Sequence, residues 1–392
     1  MSSGRRARRR VAVAIAIAAA VAAATWASWP ARGAPPGARA TLAVSTALGG
    51  GDVAGFARAL SPRAFAFPDD HGPHPEFRTE WWYYTGNLET AAGRHVGFEL
   101  TFFRTALAPP AREAGARASE WAASQLYLAH FALTDTAGGR FAAASRLSRE
   151  ALGLAGARAR PYRVWVEDWS AEGEDPDGFP VRLRAADGDV AIDLVLERGK
   201  PVVLQGDRGL SQKGPEPGNA SYYYSFTRMP ARGTVRVGPA SLEVAGLAWM
   251  DREWSTSALG PDLAGWDWLA LQLDDGRELM VYQLRRRDGS VDPYSAGTLI
   301  AADGGARRLA RDEVALEVLD HWTSPASGVR YPARWRLAVP SADLSLEIAP
   351  RLAGQELIVG TRYWEGAVRV EGRAGGHPIA GRGYVELVGY GE

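Results

Sequence analysis

The chain has 392 residues, more than one domain usually holds, and with 46% hydrophobic residues and 14 Trp it can bury more than one core. Lys plus Arg and Asp plus Glu both number 45, so no basic excess argues for nucleic acid as a partner. There is no cysteine, which excludes disulfides, thiolate nucleophiles, cysteine-based zinc sites and lipidated cysteines.

Residues 1–10 carry five arginines, and 11–25 form an Ala/Val/Ile run ending in Thr25. A basic stretch before an apolar one is the layout of an export signal. Residues 1–33 are therefore expected to be a signal peptide. If uncleaved, they would form a membrane anchor with Trp26 and Trp29 at the outer interface and the arginines held inside. The protein is expected in the periplasm or cell envelope, near a membrane. Residues 34–61, rich in Ala, Gly and Pro, read as a flexible linker with a short helix over 52–60.

The folded body begins near Phe65, and the Pro- and Gly-rich stretch to Pro75 predicts an ordered lead-in whose polar side chains close one end of a barrel. Strands follow over 81–88 and 95–103, joined by a turn whose flexible residue is Gly93. Further short strands are expected over 125–134, 163–167, 181–184, 190–196, 234–237, 242–244, 313–320, 344–348 and 367–371. Helical periodicity is scarce, with one possible short turn over 146–154. This pattern predicts an all-β protein built as two sandwiches or barrels, the first over 62–256 and the second over 257–392.

Internal repetition supports two halves. The stretch from Arg78 to Arg104, a Trp-rich strand, a Gly-Arg turn and a strand ending in Arg, returns between Gly265 and Arg285. Three more blocks recur in the same order. Val166-Glu-Asp-Trp169 answers Leu319-Asp-His-Trp322, Phe179-Pro-Val-Arg answers Tyr331-Pro-Ala-Arg, and Gly246-Leu-Ala-Trp249-Met-Asp251 answers Gly381-Arg-Gly-Tyr384-Val-Glu386.

Candidate site residues come from strand alternation. Trp249, Asp251 and Glu253 share one face of an extended strand, and burial in an apolar site would keep an acid such as Asp251 protonated. The opposing reading pairs Asp251 with Arg252 as a structural salt bridge. Tyr222 and Tyr224 are expected to line one barrel wall, as core filling or as ligand contacts. Glu80, Trp82 and Tyr84 are either barrel-floor packing, with Trp stacked on Arg78 or Arg104, or polar and aromatic groups of a pocket. Gln205, Asp207, Lys213 and Glu216 occupy a Gly/Pro-rich connection longer than its counterpart over 351–356, which suggests that the first barrel carries the pocket. Trp266, Trp268, Trp335 and Trp364 are assigned to core or interdomain packing.

Other chemistries lack their patterns. His71 and His74, preceded by Asp69 and Asp70, lie on a loop broken by Gly72, Pro73 and Pro75, so no metal is expected. No Gly-x-Ser-x-Gly elbow and no glycine-rich phosphate loop opens a helix, so no serine hydrolase and no cofactor is expected.

Longer motifs carry a family resemblance. Phe67-Pro-Asp-Asp-His-Gly-Pro-His-Pro-Glu-Phe-Arg-Thr-Glu-Trp-Trp-Tyr-Tyr-Thr-Gly86 resembles the opening signature of the AttH/hydroxyneurosporene-synthase family. Leu204-Gln-Gly-Asp-Arg-Gly-Leu-Ser-Gln-Lys-Gly214, Ala248-Trp-Met-Asp-Arg-Glu-Trp-Ser255, Tyr363-Trp-Glu-Gly366 and Gly383-Tyr-Val-Glu-Leu-Val-Gly-Tyr390 fit the same family. The resemblance covers roughly 65–390. It implies two tandem lipocalin-like antiparallel β-barrels and kinship with carotenoid 1,2-hydratases, which add water to a terminal double bond of an acyclic carotene. It also implies a bacterial secreted branch that tends to sit beside ABC-transporter components. In the hydratases the matching aspartate is flanked by Tyr and His, where this chain has Trp249, Met250 and Arg252. Two functions follow. The favoured one is an exported protein holding a hydrophobic, isoprenoid- or lipid-like ligand, with an envelope ABC transporter as its expected partner. The other is a cofactor-independent hydro-lyase or isomerase with Asp251 as proton donor.

Overall fold

The structure is a computed structural model and describes residues 53–110, 124–256, 259–260 and 262–391. The export-signal segment expected over 1–33 lies outside the described residues. Among those described, no helix is long and apolar enough to cross a membrane.

Among the described residues, strands fall into two antiparallel sheets within one compact unit. The first has 13 described strands. Its central run places Gln125–Asp135, His95–Ala106, Thr79–Glu89, Ala240–Ser255 and Ala220–Val237 side by side. The second has 10 described strands, with Ala296–Ile300, Glu278–Arg286, Leu263–Leu273, His377–Val388 and Arg362–Ala374 in the matching order. Each sheet curls into a nearly closed barrel. In the first, side chains reach across from one end of the sheet toward the other. Arg146 lies 4.5 Å from the Trp169 ring centroid, and Phe131 packs edge-on against the same ring at 5.7 Å. Trp82, Trp169 and Trp254 fill the first barrel, and Trp335 and Trp364 fill the second.

The hairpin expected at Gly93 is present, with Gly93 at φ +79°, a left-handed conformation that favours glycine. Two expectations fail. Residues 146–149 belong to the strand Arg140–Arg149, because ladder pairing with Gln125–Asp135 overrides the helix propensity of Arg146, Leu147 and Arg149. Residues 53–60 form no helix either; Ala57 N–H instead donates to Glu76 O at 2.8 Å.

The sequence repeat is visible as pseudo-two-fold packing. Tyr83 stands opposite Asp251 in the first sheet, and Trp268 stands opposite Glu386 in the second. These two equivalent aromatics meet each other edge to face, centroids 5.2 Å apart. Asn87 Nδ2 donates to Gly383 O at 3.0 Å, and its equivalent Gln272 Nε2 donates to Ala248 O, also at 3.0 Å. Reciprocal contacts of this kind define an isologous interface, here made within one chain. A third apolar cluster, containing Tyr83, Tyr223, Trp249, Trp268, Met280, Tyr282 and Tyr384, fills the layer between the barrels.

Candidate functional site

Strand alternation sorts the candidate residues into two compartments. On Ala240–Ser255, Ala248, Met250 and Trp254 join the first-barrel core, whereas Trp249 joins the inter-barrel cluster. Asp251 shares the face of Trp249 and is also buried. Glu80, Trp82, Tyr84, Tyr222 and Tyr224 turn into the first barrel; Trp249, Asp251, Glu253 and Lys213 meet between the barrels. The nine residues therefore do not form one pocket.

Inside the first barrel the lead-in acts as a plug. Phe65 packs edge-on against Tyr224 and Trp254 at 6.0 and 5.6 Å, and His74 stacks on Trp254 at 3.8 Å. Glu80, fully buried, accepts from both Arg104 and Arg252, and His74 N–H reaches it at 3.1 Å. Burial pushes Glu80 up, but the Arg104 and Arg252 guanidiniums overcome that and hold it well below the carboxylate range. The arginine over Trp82 is Arg252, at 3.9 Å from the ring centroid, in place of the expected Arg78 or Arg104. Arg252 thus belongs to Glu80 and does not pair with Asp251, which faces the other way. His71 is kept neutral, with its pKa lowered to about 3 by burial and then by Arg252, and its Nδ1 lies 2.6 Å from the Tyr224 hydroxyl. Tyr84 and Tyr162 hydroxyls pair at 2.5 Å. The void beside these groups, lined also by Phe179, Phe226 and Met250, is about 10 Å³, room for about one water. The expected first-barrel ligand pocket is at this place a packed core.

The layer between the barrels has a different character. Asp251 is buried, with Ser225 Oγ and Trp249 Nε1 donating to Oδ1 at 2.5 and 2.7 Å and Tyr223 Oη donating to Oδ2 at 2.5 Å. Burial outweighs these three donors and moves its pKa up to about 7. Tyr223, the member of the tyrosine triplet that the sequence reading passed over, is the one that meets the acid. Lys213 Nζ lies 3.3 Å from Glu253 and 4.2 Å from the Tyr282 ring centroid, and Ser221 donates to Glu253.

Three further carboxyls share this layer, Glu99 and Glu365 fully buried and Glu386 half-buried. Burial and the neighbouring charges of Glu386 and Glu99 push Glu365 well above its ordinary value, against a 2.5 Å hydrogen bond from Tyr83 Oη. Glu386 is raised to about 7 by burial, against a 3.0 Å hydrogen bond from Trp266 Nε1. Glu99 is raised to about 8 by burial, against the nearby Thr101, with Glu386 adding to the rise. Among the described residues, neither Glu99 oxygen, nor Glu365 Oε2, nor the Tyr384 hydroxyl finds a hydrogen-bond partner. Sequence reading missed these acids, although the signal was present. Glu99 stands among Phe98, Leu100 and Phe102 on a strand, and Glu365 and Glu386 sit inside the family motifs. Among the described residues no group of three or more His, Asp or Glu side chains is placed to hold a metal ion.

Chemically, the layer offers carboxylic acids whose pKa values are raised to about 7 and 8, beside aromatic faces. The fold and site thus define a two-barrel lipocalin-like protein with an acid-bearing aromatic layer between its halves. The AttH-like family model matches residues 58–390, so the chain belongs to the AttH-like family. A crystal structure of a Nitrosomonas europaea protein assigned to AttH is 38% identical, covers 86% of this chain and 100% of its own, and has a TM-score of 0.75. Kievitone hydratase from Nectria haematococca shares the fold at 15% identity, covering 85% of this chain and 96% of its own, TM-score 0.65. CghA, solved with Sch210972, shares it at 16% identity, covering 86% and 97%, TM-score 0.52. No curated protein matches the chain.

Proposed function

We propose that this chain is an exported AttH-like protein that takes an apolar, isoprenoid- or lipid-like ligand in the layer between its barrels and acts on it as a cofactor-independent hydro-lyase or isomerase. The observation carrying this reading is the set of carboxyls raised to about 7 and 8, the buried Asp251 and Glu99 and the half-buried Glu386, in a layer lined by Trp and Tyr. Adding water to an isolated alkene needs a dry, neutral acid and a surface that tolerates positive charge. The acid proton forms the new C–H bond with the alkene π pair, and the adjacent carbon becomes cationic against the aromatic faces. Water then bonds to that carbon and its proton returns to the carboxylate. A protein that only held an apolar ligand would have no use for several buried acids, each of which costs free energy to desolvate. The hydratase name of one fold neighbour agrees with this chemistry, but at that distance it speaks for the fold alone.

A second reading, a holder that passes its ligand to an envelope transporter, is favoured by one detail. Both oxygens of Asp251 are already occupied by protein donors. Export itself rests on the basic-then-apolar start of the chain.

The test is incubation of the purified protein with lycopene in detergent, followed by mass spectrometry. Gain of one water by lycopene is expected. Lycopene recovered unchanged, with a stoichiometric lipid co-purifying, would replace the enzyme with the holder.

A further inference from the structure

The pseudo-two-fold relation between the barrels allows each residue of the layer to be compared with its counterpart. Thr85 stands opposite Glu99 in the first sheet, and its equivalent Ala270 stands opposite Met280 in the second. Met280, buried to 1% exposure, fills with an apolar side chain the place that Glu99 fills with an acid. By the same relation Glu365 corresponds to Ser225, since these stand opposite Glu386 and Asp251 in their sheets. The fold therefore needs neither acid at these positions.

The two halves of the layer also differ in how their polar groups are satisfied. In the Asp251 half, the carboxylate has a donor on each oxygen. In the other half, Glu99 is fully buried with no hydrogen bond on either oxygen among the described residues, and Glu365 Oε2 and Tyr384 Oη are also without one there. Glu99 points into the layer, because its strand neighbours Phe98 and Leu100 pack in the first-barrel core. A buried carboxyl without a partner costs stability and persists where a function retains it.

Building on the function proposed above, we propose that Glu99 is the proton donor of the inter-barrel site, and that the reacting double bond lies in the half of the layer shared with Glu365 and Tyr384. In the forward step the Glu99 O–H bond breaks, its proton and the alkene π pair form a C–H bond, and the adjacent carbon takes the positive charge. Water bonds to that carbon and releases a proton to the Glu99 carboxylate, which restores the acid. Asp251, held by Ser225, Tyr223 and Trp249, orders the opposite half.

Two variants of the full protein test this assignment. Glu99→Met copies the counterpart residue; its melting temperature at pH 8 is expected to equal or exceed that of wild type, because an unpartnered buried acid is removed. A lower melting temperature would show that Glu99 serves the fold, and would overturn the proposal whatever happens with lycopene. Glu99→Gln keeps the shape but cannot act as an acid. Its turnover of lycopene is expected to fall about a hundredfold or more, with KM little changed. Wild type and Glu99→Gln hydrating lycopene alike would overturn Glu99 as donor and leave the proposed function standing. Wild type inert toward lycopene would overturn both, an outcome distinct from the failure of Glu99 alone.

Discussion

Glu80 and Glu99 are both fully buried glutamates, yet their surroundings are opposite. Glu80 is gripped by two arginines and held ionised, whereas Glu99 meets no cation and holds its proton. The first is structural by its partners, since removing one member of a buried charge network leaves the others uncompensated. Glu80→Gln is therefore expected to lower the free energy of unfolding by about 3–5 kcal/mol in urea titration, because Arg104 and Arg252 would lose their counter-ion. An unchanged unfolding midpoint would contradict this reading of the barrel end. Sequence made Glu80 visible as a polar residue beside Trp81 and Trp82, but not its partners. His74, Arg104 and Arg252 come from three separate stretches of the chain, and only folding brings them to one carboxylate.

At the scale of elements, the site exists because two sheets turn toward each other the faces that carry Tyr83, Tyr223 and Trp249 in the first and Trp268, Met280 and Tyr384 in the second. Close approach is set by small residues. A Cβ placed on Gly97 would lie 2.6 Å from the Ala367 Cβ of the other sheet, nearer than real Cβ contacts come. Gly97→Val is expected to cost about 1–3 kcal/mol by forcing the sheets apart, checked by thermal melting. Equal stability would mean that the sheets are not in contact at that point. Trp268→Ala removes a ring that touches both Tyr83 and Trp249, and is expected to cost about 3–5 kcal/mol in the same assay. Here the sequence was largely legible. Alternation placed Trp249, Asp251 and Glu253 on one face, and the repeated blocks paired Asp251 with Glu386 before any contact was known. What alternation does not say is which face turns inward. Tyr222 and Tyr224 were grouped with Asp251 when the residue that meets it is Tyr223, one position along.

For the whole molecule, the buried titratable groups give stability a defined pH dependence. Glu99, Asp251 and Glu386 keep protons in the folded state up to about 8, 7 and 7, while the unfolded chain loses them near 4.5, 3.8 and 4.5. The folded state binds more protons above those unfolded values, so stability falls as pH rises toward 7–8. His71, His95 and His130 act in the other direction. Burial lowers each to about 3 from 6.5, so the unfolded chain binds more protons below pH 6.5 and stability falls as pH drops. Between about pH 4.5 and 6.5 the two sets oppose each other; above that the histidine contribution fades over about one pH unit and the carboxyls dominate. With Glu365 also raised, the carboxyls outweigh the histidines, so stability is expected to decline slightly across that interval and to fall by on the order of 3 kcal/mol from about pH 6.5 to 8, read by calorimetry. A melting temperature that rose over that upper range would contradict the neutral-acid layer. Composition and motifs reached the two-barrel plan, because the hairpins, the repeat and the family blocks are local signals. They did not reach the acid layer, which forms only where one barrel meets the other.

The measurement that bears most directly on the account is a crystal structure of the protein soaked with lycopene. Density for the polyene between the barrels, against Trp268 and Tyr384 with a double bond beside Glu99, is the expected result. Density within the first barrel beside Tyr84 and Tyr224, with the inter-barrel layer unchanged, would contradict it.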